Sequence, residues 1–230
     1  MRSYAQYCGL ARALDVIGDR WTLLIVRELL LLGSARFTEL QDGLPGIATN
    51  LLAQRLDELE TAGLMIRERP TGRKATVLRL TARGLDLEPV IAALGTWGAP
   101  LLGSPRPDDM VRGRWLALPL RQYFTDAEVD GPQAVVELRV AGETIVVTLE
   151  RGTLRADLGQ ASQPDLIVDA PPDVLLALLA GRLSLTRARR RQARISGDVR
   201  TLKRIVRKTL PSASPTAALR SSARAVAHRR

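Results

Sequence analysis

The chain is nearly empty of the two residue types that most often carry metal and covalent chemistry. Its 230 residues include one cysteine, Cys8, and one histidine, His228. A single cysteine excludes an intramolecular disulfide framework and suits a reducing, cytoplasmic setting. His228 stands in a basic tail, and no metal-ligand cluster or nucleophile–base pair is visible. No enzyme, metal or cofactor is therefore expected. Long apolar runs are also missing. Stretches such as Leu29 to Leu32 and Val174 to Ala180 are far too short to span a bilayer. The first residues, Met-Arg-Ser-Tyr-Ala-Gln-Tyr-Cys, lack the apolar core of a signal peptide. No membrane partner is expected.

Charge is uneven along the chain. The net charge is +10, yet residues 1–102 carry 12 basic and 11 acidic side chains, and residues 103–186 carry 8 and 12. The excess lies in residues 187–230, with 14 basic side chains against one acidic. A case for nucleic acid in the first half must rest on where its arginines sit, not on bulk charge.

The most informative stretch runs from Phe37 to Thr81. A short helix, a Pro-Gly turn at Pro45-Gly46, a longer amphipathic helix and a hairpin follow one another. This is the order of a winged helix-turn-helix, which places one helix in a DNA major groove. Thr38 and Gln41 have capping-box spacing for the first helix. In the second helix Leu52, Leu56 and Leu59 recur at core spacing. Thr49, Asn50, Ala53 and Gln54 lie mostly off that stripe, where short polar groups approach base edges. Arg36 and Arg55 suit phosphates. The wing tip gathers Arg69, Thr71, Arg73 and Lys74, within reach of a backbone or minor groove. A polar helix face or a basic hairpin alone is common on any surface; their order within one unit carries the reading.

Upstream, Asp19 is placed to cap a helix beginning near Trp21 and ending at Gly33. Downstream, Thr81 caps a helix to about Trp97, bent at Pro89, with Leu87, Val90, Ile91, Leu94 and Trp97 on one face. A Pro/Gly-rich linker then sets a boundary near residue 105. Beyond it the period changes. Strands are expected at Ala134 to Val140, Thr144 to Leu149, Thr153 to Asp157 and Asp165 to Asp169, with turns at Ala141-Gly142 and Arg151-Gly152. A leucine helix opens at Pro171-Pro172 and ends at Gly181, Ala193 to Ser196 is placed to return to the sheet, and a basic helix follows from Val199 to Leu210. The fold class is α+β: a DNA-binding domain over 1–104, an α+β domain with an antiparallel sheet over 105–210, and a basic, disordered tail over 211–230.

Several runs resemble the HxlR family of bacterial winged-helix regulators, relatives of the MarR group. They are Tyr7-Cys8-Gly-Leu-Ala-Arg-Ala-Leu-Asp-Val-Ile-Gly-Asp-Arg-Trp, Arg36-Phe-Thr-Glu-Leu, Leu44-Pro-Gly-Ile, Leu52-Ala-Gln-Arg-Leu-Asp-Glu-Leu-Glu-Thr-Ala-Gly-Leu and Leu80-Thr-Ala-Arg-Gly. The resemblance covers about residues 4–100. It implies a homodimer joined through the N-terminal segment and the Thr81–Trp97 helix, bound to double-stranded DNA at a pseudo-palindromic operator. Ala48 stands where the family often opens its recognition helix with Ser, so Thr49 is expected to cap instead. Some members carry an oxidant-sensing cysteine at the place of Cys8; the plainer reading is a small buried residue in a dimer contact.

Residues from about Trp115 to Leu210 resemble the fold of sterol carrier protein type 2. The resemblance lies in Pro164-Asp-Leu-Ile-Val-Asp, Leu175 to Gly181-Arg-Leu-Ser-Leu, Ile195-Ser-Gly-Asp and Leu202. It implies an apolar cavity for a small hydrophobic ligand, walled by Val147, Leu149, Val168, Leu175, Leu178 and Leu179. Five arginines between Arg187 and Arg194 depart from that pattern. They face water, an anionic ligand group or DNA, and a solvated face is the plainest of the three. The function implied is a sequence-specific transcriptional regulator responsive to an apolar ligand. The alternative is a lipid-type carrier or scaffold whose second domain serves binding or dimerisation without sensing.

Overall fold

The computed structural model describes residues 3–69, 75–102, 108–123, 131–150 and 153–206. The chain divides into two compact units, Met1–Ala93 and Leu94–Arg230.

The first unit opens with α1 (Gly9–Ile17) and α2 (Thr22–Leu32). Ser3 and Tyr4 fold back on α1: the Ser3 hydroxyl and Tyr4 N–H both donate to the Asp15 carboxylate, at 2.9 and 2.8 Å. These bonds, led by the one from Tyr4, hold the Asp15 carboxyl below its ordinary pKa. α2 has Trp21 at its N-cap and no side-chain cap. Asp19 thus does not cap through its carboxylate. Its backbone carbonyl accepts from Thr22 N–H at 3.2 Å, and its carboxylate is taken by Arg55.

Then follow α3 (Phe37–Gly43), α4 (Thr49–Thr61) and a hairpin of β1 (Met65–Glu68) and β2 (Val77–Leu80), paired from Met65–Leu80 to Glu68–Val77. Ala35 and Leu78 exchange backbone bonds of 3.0 and 2.8 Å, adding a third, one-residue strand. Ile25, Leu29, Leu40, Leu44, Leu52, Leu56, Leu59 and Met65 are all under 2% exposed. At about 1.5–3 kcal/mol for each large apolar side chain removed from water, this group fixes the helices without using the outer face of α4.

Thr81 caps the next helix as expected, its hydroxyl accepting from Gly84 N–H at 3.2 Å. The helix is not continuous. It forms α5 (Ala82–Leu85) and α6 (Glu88–Gly98), interrupted at Asp86-Leu87. Pro89 has no N–H for the Leu85 carbonyl and its ring collides with that oxygen, so the break falls before the proline.

In the second unit a 3-10 turn (Gly113–Leu116) leads into α7 (Ala117–Tyr123), which sequence reading did not anticipate. The sheet contains β3 (Ala134–Val140), β4 (Glu143–Glu150), β5 (Thr153–Leu158), β6 (Leu166–Asp169) and β7 (Arg194–Gly197), in the order β5-β4-β3-β6-β7. Ala141 and Gly142 join β3 to β4 with φ of 50° and 75°, the conformation of a type I′ turn. The expectation of an antiparallel sheet needs one correction: β3 and β6 are parallel. The segment 159–165 carries the chain back to the far side of β3. It is pinned there by Ala161 N–H, which donates to the buried Glu137 carboxylate at 2.9 Å, so β6 enters in the direction of β3.

α8 (Pro172–Leu179) begins at its proline, with Pro171 as N-cap, and contacts α9 (Leu185–Arg190) and α10 (Val199–Val206). α9 is a further element the sequence reading left unassigned. The Arg151-Gly152 turn, the linker at 103–107, the continuation of the basic helix to Leu210 and the tail 211–230 lie outside the described residues.

Candidate nucleic-acid interface

The interface is built from the turn that aims α4. Leu44 and Ile47 are buried, at 1% and 7% exposure, and hold the two ends of the turn. Ile47 N–H donates to Leu44 O at 3.2 Å, and Gly46 has φ of 84°. Pro at the second position and Gly in the left-handed region at the third make a type II turn.

α3 starts earlier than its capping spacing predicts. Its N-cap is Arg36, whose N–H donates to the Glu39 carboxylate at 2.6 Å. Thr38 and Gln41 are not the capping pair. Because Ala35 is held in the bridge to Leu78, the chain turns helical directly after Arg36. This releases Gln41, which donates to the Thr49 hydroxyl at 2.7 Å and so ties the supporting helix to the first residue of α4. Thr49 is not a cap either. Ala48 occupies the N-cap without a side-chain bond, and Leu52 N–H donates to its carbonyl at 2.9 Å.

Thr49, Asn50 and Gln54 are exposed and Ala53 is half-buried, on the side of α4 away from the buried Leu52, Leu56 and Leu59. The side chain of exposed Asn50 accepts from Leu51 N–H through its carbonyl oxygen at 2.9 Å. Gln54 donates to Glu58 at 3.0 Å. Arg36 and Arg69 are exposed. Thr71, Arg73 and Lys74 lie outside the described residues.

Arg55 is differently placed from the other candidates. Its side chain is 16% exposed, pairs with Asp19 at 2.5 Å and also bonds Glu58. A guanidinium held by two carboxylates is turned inward, and its first role is to position α4. At Glu58, burial works to raise the pKa, but bonds from Gln54 and Arg55 outweigh it and hold the carboxyl below its ordinary value. The wing base is fastened in a similar way: Arg67 reaches Asp57 at 2.6 Å and also bonds Glu60, while Arg79 meets Glu68 at 2.6 Å. Sequence reasoning missed these positioning residues. The Arg55–Glu58 spacing was legible on a helix; the long-range pairs from Asp19 and Arg67 carried no local signal.

Cys8 is exposed at the N-cap of α1. Backbone hydrogen bonds from Ala11 and then Leu10 lower its thiol pKa.

In the second unit Val147, Leu149, Val168, Leu175, Leu178 and Leu179 are all buried, at 0–3% exposure. Two open surface hollows of about 760 and 350 Å³ are lined by other residues, the larger by Asp169, Pro171, Arg189, Gln192 and Arg194 among them. Arg187, Arg189, Arg190, Arg191 and Arg194 are all exposed.

The profile of the HxlR-like helix-turn-helix family matches residues 16–104. The HTH-type transcriptional regulator sll1512 of Synechocystis is 35% identical over 96 residues, covering 41% of this chain and 70% of that one. The chain belongs to the HxlR family. A second relative, the HTH-type transcriptional regulator YvaP of Bacillus subtilis, is 36% identical over 87 residues, 37% of this chain and 80% of its own. Among solved structures, the reduced form of the regulator YodB from Bacillus subtilis is 27% identical. It covers 44% of this chain and all of its own, with a TM-score of 0.38. The HxlR protein is thus a helix-turn-helix transcriptional regulator over its first hundred or so residues. Among its described residues no helix is long and apolar enough to cross a membrane.

Proposed function

We propose that this regulator binds a pseudo-palindromic operator in duplex DNA as a homodimer, each protomer reading base edges with Thr49, Asn50, Ala53 and Gln54. The observation that carries the reading is the exposed polar start of α4, presented by a rigid turn and held from behind by buried leucines. Such a helix enters a major groove by its N-terminal residues. Arg36, Arg69, Thr71, Arg73 and Lys74 serve the phosphates and the minor groove in this reading, with Arg55 a phosphate contact only if it leaves Asp19. Selection of bound sequences from a random duplex pool tests it: one recovered palindrome supports it, and no enrichment at moderate salt overturns it.

The dimer reading rests on exposed apolar side chains. Val90, Leu94 and Trp97 of α6 are 40%, 49% and 74% exposed, and Leu10 and Leu14 of α1 are 69% and 40% exposed. A second copy of the chain would cover such surface.

We assign the DNA-binding domain to 1–104, a sterol-carrier-like domain to 105–210 and a tail to 211–230, in a cytoplasmic protein. The strand order and the leucine helix α8 support the carrier-like assignment. A small hydrophobic ligand between sheet and helices is the finer part of that reading. The six wall residues are closed over in this structure, so such a ligand would have to open them. Mass spectrometry of an organic extract of the purified protein tests it. A stoichiometric apolar compound supports a sensor, and an empty extract supports a scaffold.

A further inference from the structure

The strongest concentration of unpaired charge in the described residues is not on the winged helix. Several arginines elsewhere are tied to carboxylates: Arg12 to Asp15, Arg67 to Asp57, Arg79 to Glu68, Arg139 to Glu137. Arg187, Arg189, Arg190, Arg191 and Arg194 are all exposed, and none has an ion pair among the described residues. Asp169 stands opposite Arg194 in the β6–β7 register without pairing to it. Asp198, the one acid in residues 187–230, is taken by Arg200 at 2.9 Å.

The fold gathers these five cations instead of scattering them. Ser184 caps α9, accepting from Arg187 N–H at 3.3 Å, and Ala188 faces inward, fully buried. The arginines around Ala188 therefore spread over the outer side. Gln192, with φ of 68°, then turns the chain so that Arg194 opens the edge strand β7. This crowding opposes folding. Arg187–Arg190 and Arg187–Arg191 are like-charge neighbours at helical spacing. A bound polyanion offsets that cost.

We infer that the Arg187–Arg194 face binds the phosphate backbone of duplex DNA, adding sequence-independent affinity to that of Arg36 and the wing in residues 1–102, whose net charge is nearly neutral. Guanidinium groups suit this, because each engages a phosphate through two parallel N–H bonds. The inference rests on the DNA-binding reading above and extends it to a second surface.

The test uses the full chain with R187Q, R189Q, R190Q, R191Q and R194Q combined, and fluorescence anisotropy on two long duplexes. One carries the sequence selected by the wild type and the other a scramble of it. Each phosphate that an arginine neutralises adds about 0.9 to the steepness of log affinity against log salt. The variant is expected to show a slope shallower by about 3 to 5 per protomer and affinity lower by about 10–100-fold on both duplexes, with their ratio preserved. The matching Arg→Lys variant keeps the charge and is expected to recover most of the binding. Unchanged slope and affinity on both duplexes overturns the inference. So does loss of binding to phosphatidylglycerol vesicles with DNA binding intact, which would assign the face to a lipid surface. Failure of the base-reading proposal looks different: the wild type then prefers neither duplex, while the arginine effect on slope is still read from the scramble.

Discussion

The Arg55 guanidinium meets the Asp19 carboxylate at 2.5 Å, joining the middle of α4 to the turn between α1 and α2. The two residues are 36 positions apart, and the pair fixes how α4 rotates over the core. Two effects of Asp19→Ala oppose each other. Removing an acid from a DNA-binding unit strengthens its attraction to phosphate, whereas freeing Arg55 loosens the helix that carries Asn50 and Gln54. With Asp19 half-exposed, the pair is worth only about 0.2–1 kcal/mol in stability. Positional control is expected to dominate: the melting temperature changes little, while affinity for the selected operator falls more than affinity for random DNA. Stronger binding to both would show that Asp19 acts only through its charge.

Asn50→Ala is expected to cost about 1–3 kcal/mol on the selected operator and little on random DNA, since an exposed Asn pairs bidentately with adenine and Ala does not. Gln54→Ala has a comparable expected cost, because both side chains have an intramolecular partner, Leu51 N–H for Asn50 and Glu58 for Gln54. Titration of both variants against operators changed one base pair at a time checks this. Equal weakening on every sequence would move these residues to the backbone.

The winged helix was readable because each part had a local signal: leucines at helical spacing, Pro45-Gly46 at the turn, Thr81 before the following helix. What escaped was set at long range. The one-residue strand at Ala35 moved the start of α3, so the capping acceptor became Glu39 in place of Gln41. Asp19 looked like a helix cap because its partner, Arg55, is remote in sequence. In the second unit the strands showed by β-branched runs and the Ala141-Gly142 turn. The parallel β3–β6 pair did not, because strand direction depends on a crossover that leaves no periodic mark. Neither did α9: six residues with four charged or polar side chains resemble a solvated loop until Ala188 is seen to be buried.

Gly84 is the tightest backbone approach in the first unit. A Cβ placed there would lie 2.0 Å from the Leu64 carbonyl oxygen and 3.1 Å from Leu80. That carbonyl also accepts from Thr81 N–H at 3.0 Å, so it has little freedom to retreat. Gly84→Ala is expected to destabilise the protein by about 1–3 kcal/mol through overpacking. Urea denaturation gives the value, and an unchanged midpoint would mean that α5 moves away freely.

Association is tested at α6. Leu94→Glu places a charge on a side chain that is 49% exposed in the single chain, so folding of the monomer is expected to survive. Sedimentation velocity at micromolar concentration is expected to show a dimer for the wild type and a monomer for the variant, with operator affinity falling because only one half-site is then engaged. A wild-type monomer at that concentration would remove the dimer from the proposed function.

Cys8 gives a pH signature. The backbone amides of Ala11 and then Leu10 at the start of α1 lower its thiol pKa, and the side chain is exposed to reagent. The folded pKa therefore lies below that of an ordinary thiol. Iodoacetamide reacts with the thiolate, so the rate of Cys8 alkylation should reach half its maximum at a lower pH in the folded protein than in urea. The linked effect on stability has a definite sign. The folded state releases the thiol proton more readily than the unfolded state, so stability rises with pH from the folded pKa upward and is complete above the unfolded one. Cys8→Ser should abolish both the alkylation and this increment. Identical alkylation profiles in folded and unfolded protein would show that the α1 amides do not reach the sulfur, and would remove the chemical basis for a sensing role at this position.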